Sequence, residues 1–242
     1  MKTKLFMLCI SVALGATLAA HTPSAAGDTG SPSGNLNPTI YAPPAAANTD
    51  SRGSDLNPTL LVNKSHSLQP RTYTPSSLIV PAVSLAEPVH NPEMQLTPAA
   101  TTALEALFES AQSGGITLVL SSGYRSYSDQ ALLYVDAVKS SGLAAAEAVA
   151  PPGYSEHQTG LAADVILPNY FCAAQGCFAL SQAAAWLANN AYRSGFVVRY
   201  SLHKEFSTGY EYEPWHLRYL GPGLAKVLHN KQETLEEFYG FD

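Results

Sequence analysis

Hydrophobic positions divide the chain into three zones. Residues 5–20 are apolar apart from Ser11, Gly15 and Thr17, and they follow Lys2 and Lys4. A positive start, an apolar run and small residues behind it have the form of a secretory signal, with cleavage after Ala20 or Ala26. The run of about 16 residues is short for a bilayer span, which needs about 20. Residues 1–26 are therefore expected to be a signal peptide, leaving no stable membrane span after its removal. Residues 27–59 lose the apolar pattern, and Pro, Gly, Ser, Thr, Asn and Asp dominate, with Tyr41 the only aromatic. Such a stretch buries too little apolar surface to offset its ordering entropy, and it is expected to be a disordered tether. It carries a near-repeat, Leu36-Asn37-Pro38-Thr39 and Leu56-Asn57-Pro58-Thr59, which reads as a duplicated tether segment. Residues 60–242 are patterned to the end and are expected to form one domain.

Within that domain the period alternates. Thr97-Pro98 opens a helix, with Leu104, Leu107, Phe108 and Ala111 at helical spacing and Gly114-Gly115 closing it. Residues 116–120 predict a strand and Ser121-Ser122-Gly123 a turn. Ser128 is placed to cap a second helix that runs to Lys139, and residues 143–149 can form a short third one before Pro151-Pro152-Gly153. Residues 162–166 predict a short strand. Residues 181–194 predict an Ala-rich helix closed by Gly195, and residues 196–200 and 215–219 predict two further strands. Residues 223–229 and 234–239 predict short helices, the latter with Thr234 and Glu237 spaced as a capping box. Helices and short strands alternate without a regular βαβ repeat. The expected class is α+β, a small and mostly antiparallel sheet flanked by helices.

Composition narrows the function classes. The 242 residues carry 13 Lys+Arg against 19 Asp+Glu, a net charge of −6. That balance argues against nucleic-acid binding, which needs basic patches to displace counterions. Of the three cysteines, Cys9 lies in the signal, without the context of a lipoprotein cysteine. Cys172 and Cys177 remain, and their short spacing in a small, polar stretch suits a disulfide in an exported protein.

Three stretches crowd polar residues between apolar elements: residues 122–126, 155–164 and 213–219. A catalytic zinc site needs three protein ligands and an open position. His157 and Asp164 lie seven residues apart around a glycine, and His216 can supply a third ligand. Asp164 sits among Leu161, Ala162, Ala163, Val165 and Ile166, where a carboxylate is costly unless paired or bound to metal. Glu213 precedes His216 by three. In a flat strand those two face opposite sides, so both reach one centre only if the chain bends, and Pro214 makes a bend expected there. A carboxylate beside a metal can take a proton from water. Taken singly, each of these residues has an ordinary structural reading, as a surface hydrogen bond or, for Arg125, a salt bridge. His66, His90, His203 and His229 keep that reading, and His21 is expected to leave with the signal or lie in the tether.

Taken together, the stretches resemble the signatures of the VanY-type D-alanyl-D-alanine carboxypeptidases, zinc peptidases of the LAS group that also includes D-Ala-D-Ala dipeptidases and the Hedgehog signalling domain. Ser155, His157, Gly160, Ala162 and Asp164 match the Ser-x-His-x-x-Gly-x-Ala-x-Asp pattern. Glu213, Trp215, His216, Arg218 and Tyr219 match Glu-x-Trp-His-x-Arg-Tyr. Residues 122–126 with Gln130, and the opening Leu61-Val62-Asn63-Lys64, match as well. The resemblance spans about residues 60–240. It implies one zinc ion held by His157, Asp164 and His216, with Glu213 as general base and Arg125 beside the developing oxyanion. It also implies that Ser155 and Gln130 line the substrate cleft. Tyr154, Tyr210 and Trp215 are cleft-wall candidates, core packing being an equal reading for Trp215. Arg218 and Tyr219 are expected to be structural partners around the site. The implied substrates are peptidoglycan stem peptides ending in D-Ala, and the implied protein is a secreted monomer in the bacterial periplasm or cell wall. L,D-carboxypeptidase action on tetrapeptides, cross-link endopeptidase action and a non-catalytic zinc-containing wall-binding module stay open as alternatives.

Overall fold

The computed structural model describes residues 56–142, 148–168 and 175–241. The branched and apolar segments pair into one sheet of four strands: β1 (Val119–Ser122), β2 (Ala162–Ile166), β3 (Phe196–Tyr200) and β4 (Glu213–Tyr219). Their order is β1-β2-β4-β3, and every pairing is antiparallel. Around the sheet stand α1 (Pro98–Ser113), α2 (Tyr127–Ser141), α3 (Gln175–Ala179), α4 (Gln182–Asn190), α5 (Glu205–Thr208), α6 (Gly221–Lys231) and α7 (Leu235–Tyr239). The expected α+β architecture is the observed one.

One face of the sheet packs on α1 and α4. Leu104 and Leu107 of α1 and Leu187 of α4 meet Leu120, Val165, Phe196 and Leu217 from all four strands, and all are buried. Burying each such side chain stabilises the fold by about 1.5–3 kcal/mol before entropy is counted. A second cluster joins Leu61 to Leu220, Leu224, Leu228 and Leu235, so that α6 and α7 close over the N-terminal end of the described chain.

Several boundaries differ from the pattern. Strand β1 starts at Val119 and runs through Ser122, where a turn was expected. The ladder to β2 slips by one residue there, and the Ser121 hydroxyl donates to the Asp164 carbonyl. The two serines stay in the sheet because pairing and a side-chain bond satisfy them, which periodicity does not reveal. Helix α2 begins at Tyr127 because Ser126, not Ser128, accepts from the Asp129 amide at 3.2 Å. The helix expected over 181–194 stops at Asn190 and continues as a 3-10 turn, Ala191–Ser194, into Gly195 at φ 83°. The capping box of α7 forms as expected, with Thr234 and Glu237 bonded reciprocally.

The expected signal, most of the tether and the bulk of the helix expected at 143–149 lie outside the described residues. Among the described residues, no helix is long and apolar enough to cross a membrane. The end of the expected tether is packed, with Thr59 only 6% exposed. Asn57 Oδ1 accepts from the Thr59 amide and hydroxyl, so the second Leu-Asn-Pro-Thr copy is a side-chain-closed turn. Cys177 is disulfide-bonded, and its expected partner Cys172 lies outside the described residues.

Candidate metal centre and active site

Strand register assembles the cluster. Asp164 on β2 stands directly opposite His216 on β4. His157 arrives from the 3-10 turn Glu156–Thr159, which Gly160 ends at φ 68° before the chain enters β2. That left-handed conformation suits glycine, and it turns the chain so that His157 and Asp164 face each other. The ring of His157 points Nε2 at Asp164 Oδ2, 3.3 Å away, and the ring of His216 points Nδ1 at Oδ1, 3.0 Å away. One donor atom from each of the three residues lies within 4.8 Å of the others. The outer nitrogens are tied back: His157 Nδ1 bonds to the Gly123 carbonyl at 2.6 Å, and His216 Nε2 to Glu156 at 3.2 Å. Two imidazoles and a carboxylate, converging with their remote nitrogens fixed, fit a zinc-type ligand set. Gly123 is itself packed against the segment before α1, since a Cβ there would meet the Gln95 carbonyl oxygen at 2.5 Å.

Pro214 and the expected bend are accounted for by an irregularity in the ladder. The two-residue step from Val198 to Tyr200 on β3 faces the four-residue step from Leu217 to Glu213 on β4. The surplus in β4 accommodates a proline in a central strand and brings Glu213 within electrostatic reach of His216 and Asp164.

The charges follow from burial. Burial raises the Glu213 carboxyl to about 7, with His216 pulling the other way and Asp164 adding to the rise. Burial also opposes the charged form of Asp164, but His157 and His216 outweigh it and hold the carboxyl well below the usual range. Burial lowers His157, Asp164 only partly offsetting it. Burial lowers His216 too, but its bonds to Asp164 and Glu156 dominate and lift it to about 10. The site therefore holds a carboxyl poised near neutrality beside a cluster in which Asp164 is ionised, His216 is protonated and His157 is held toward its neutral form.

Arg125 follows β1 and is held at three points. Its amide donates to the His157 carbonyl, Nη1 donates to Gln130 Oε1 at 3.0 Å, and Nη2 donates to Ser122 Oγ at 3.1 Å. Gln130, expected to line the cleft, is 1% exposed and spends its other end on the Ala150 carbonyl. Its link to the site runs through Arg125. Ser155 is buried, and Tyr154 accepts a bond from Arg71 at its hydroxyl. Tyr210 is buried against Tyr200 in a stack with centroids 4.3 Å apart, and Lys64 lies over its other side. Tyr200 in turn stacks on His216 at 4.9 Å, so the aromatic pair braces the His216 ring. Trp215 packs against the main core. His66 bonds Asn63 and His229 stacks on Tyr192, both away from the cluster.

Sequence reasoning passed over Glu156, Arg199 and Tyr200. Glu156 occupies an unspecified position inside a matched pattern, and Arg199 interrupts an apolar strand. A charge within a strand that otherwise reads as buried was the available signal.

Comparison with known proteins adds the family. Residues 93–222 match the family model described as VanY: D-alanyl-D-alanine carboxypeptidase. A Bacillus subtilis relative, putative carboxypeptidase YodJ, is 41% identical over 74% of this chain; the match spans 66% of that relative's length, just under two thirds. Among solved structures, the LdcB LD-carboxypeptidase is 40% identical with a TM-score of 0.69, over 76% of this chain and 87% of that one. The D,D-pentapeptidase VanY of a VanB-type resistance cassette, solved with Zn(II), is 29% identical with a TM-score of 0.61, over 75% and 98%. With the matched segment carrying β1, β2, β3 and β4 and every residue of the cluster, the chain belongs to the VanY family.

Proposed function

We propose that the chain is an exported zinc-dependent carboxypeptidase that removes the terminal residue of peptidoglycan stem peptides, acting as a monomer outside the cytoplasm. The observation that carries this reading is Glu213: a half-buried carboxyl raised to about 7, within electrostatic reach of a convergent His157, Asp164 and His216. These three residues would hold the metal. Zinc, when bound, supplies Lewis acidity toward a carbonyl oxygen and toward water. Glu213 takes a proton from the attacking water and passes it to the departing amine nitrogen. The water oxygen bonds to the carbonyl carbon, the C–N bond breaks, and a shortened stem and free D-alanine leave. Arg125 spends two donors on Gln130 and Ser122, and the remainder of its five serve the negative charge growing on the carbonyl oxygen. Ser155, Tyr154 and Tyr210 are the proposed neighbours of the stem.

Two specificities compete. The D,D reading, cleavage of a pentapeptide ending in D-Ala-D-Ala, follows from the family's description. The L,D reading, cleavage of a tetrapeptide, is favoured by the greater likeness to LdcB than to the D,D-pentapeptidase. The zinc-loaded protein incubated separately with defined pentapeptide and tetrapeptide stems, followed by product masses, separates them. Loss of one alanine from either stem supports the carboxypeptidase reading, and the stem consumed fixes the specificity. Cleavage only within a cross-link would make it an endopeptidase. Binding of zinc and stem without any product would make it a wall-binding module. Glu213→Ala should keep zinc and lose hydrolysis; retained hydrolysis would remove Glu213 from its role.

A further inference from the structure

Behind the metal cluster lies a second set of charges, all buried. Glu156, Arg199, Arg218 and Glu236 are each no more than 2% exposed. Glu156 Oε1 accepts from Arg199 Nε at 2.7 Å and from Arg218 Nη1 at 2.9 Å. Arg199 is gripped from its other side by both oxygens of Glu236, at 2.8 and 2.6 Å, and Glu236 Oε1 also accepts from Asn63 at 3.0 Å. Two cations and two anions cancel, so the set adds no net charge to the site. A buried ion network of this kind is a poor source of stability, since apolar packing of equal volume does as well.

What distinguishes the network is the oxygen it leaves over. With Oε1 occupied by two guanidinium groups, Oε2 of Glu156 faces His216 Nε2 at 3.2 Å. The other nitrogen of that ring is the one turned to Asp164. An imidazole that donates from Nε2 presents a lone pair at Nδ1, which is what metal coordination from that side requires. We infer that Glu156 is a positioning residue that locks His216 in the Nε2–H tautomer with Nδ1 toward the metal, and that Arg199 and Arg218 hold Glu156 in place for that task. The two ligand rings are thus backed unequally, His157 by the neutral Gly123 carbonyl and His216 by a carboxylate. A carboxylate partner makes the stronger ligand, and loss of such a partner typically costs 10–100-fold in metal affinity. Neighbouring residues of one 3-10 turn work on opposite sides of the centre, His157 in front of His216 and Glu156 behind it.

The inference rests on the reading that the cluster binds zinc, and its test separates the two. Zinc affinity, measured by chelator competition on the full chain, is compared for the parent, Glu156→Gln and Glu236→Gln. Each variant removes one anion from the same buried network, but only the first touches His216. Both should melt below the parent. Glu156→Gln should bind zinc about 10–100-fold more weakly, and Glu236→Gln should stay within about threefold. Equal zinc affinity in Glu156→Gln and parent, or equal weakening in the two variants, overturns the inference. A parent that binds no zinc overturns the metal reading and the inference with it. Should Glu156→Gln not fold, nitrogen-correlated NMR of the zinc-loaded parent decides. A slowly exchanging proton on Nε2 of His216 supports the inference, and a proton on Nδ1 overturns it.

Discussion

Glu213 holds its proton to about pH 7 because burial disfavours the carboxylate more than His216 favours it. In the unfolded chain the same group ionises in the ordinary carboxylate range. The metal-free fold therefore binds the extra proton between those values and loses stability as pH rises through them, a loss of at most about 3 kcal/mol for the whole interval. Glu213→Gln removes that penalty. We expect the metal-free variant to melt several degrees above the parent at pH 8 and level with it at pH 4, by calorimetry. A variant less stable than the parent at pH 8 would contradict the raised carboxyl. A bound dication would pull Glu213 back down, so the acid limb of the pH–rate profile should fall below 7. At this scale the sequence was informative where chemistry is local. Asp164 was identifiable because a carboxylate among apolar neighbours needs a reason, and His157, Glu213 and His216 because their spacing around it completes a ligand-and-base pattern. Glu156 was not, because its partners Arg199, Arg218 and His216 lie 43, 62 and 60 residues away.

Among the elements, the turn that links the 3-10 segment to β2 is the most constrained. Gly160 stands at φ 68°, and a Cβ there would lie 3.0 Å from Leu78 Cδ2 and 3.1 Å from Thr97 Cγ2. Gly160→Ala meets both a disfavoured backbone region and close neighbours, and it should cost about 1–3 kcal/mol in denaturant unfolding. Because this turn sets His157 against Asp164, zinc affinity should fall with it. A variant as stable and as tight-binding as the parent would show that the turn tolerates rearrangement. Strands β2 and β3 were legible to the residue, since their apolar runs end at breakers. The start of β1 and the extra residues in β4 were not. A bulge is set by what the partner strand offers, and periodicity within one strand carries no record of its neighbour. Pro214 was the one local sign of it.

For the molecule as a whole, metal binding and proton release are linked. His216 carries a proton in the metal-free fold because Asp164 and Glu156 overcome its burial, and that proton's contribution to stability is fully present below the ordinary histidine range and lost as pH rises through about 10. Zinc must displace it. Affinity should therefore strengthen at least about tenfold per pH unit between pH 6 and 8, with about one proton released per ion at pH 8 and more at pH 6, where Glu213 also gives up its own. At a hundredfold excess over its dissociation constant zinc adds about 2.7 kcal/mol. The melting temperature should then rise by about 5–10 °C, reversed by chelator, with the rise at fixed zinc larger at pH 8 than at pH 6. A shift independent of pH would exclude His216 as the displaced group. Also visible only at this scale is what holds the first described residues in place. Its polar composition marked residues 57–59 as tether, yet backbone carbonyls secure that stretch, and composition does not report on carbonyls. Arg218 donates to the carbonyls of Pro58 and Leu60, and Tyr239 donates to that of Thr59. A pull on Pro58 or Leu60 thus reaches Arg218, two residues from His216, so the metal cluster is mechanically joined to the first described residues instead of sheltered from them.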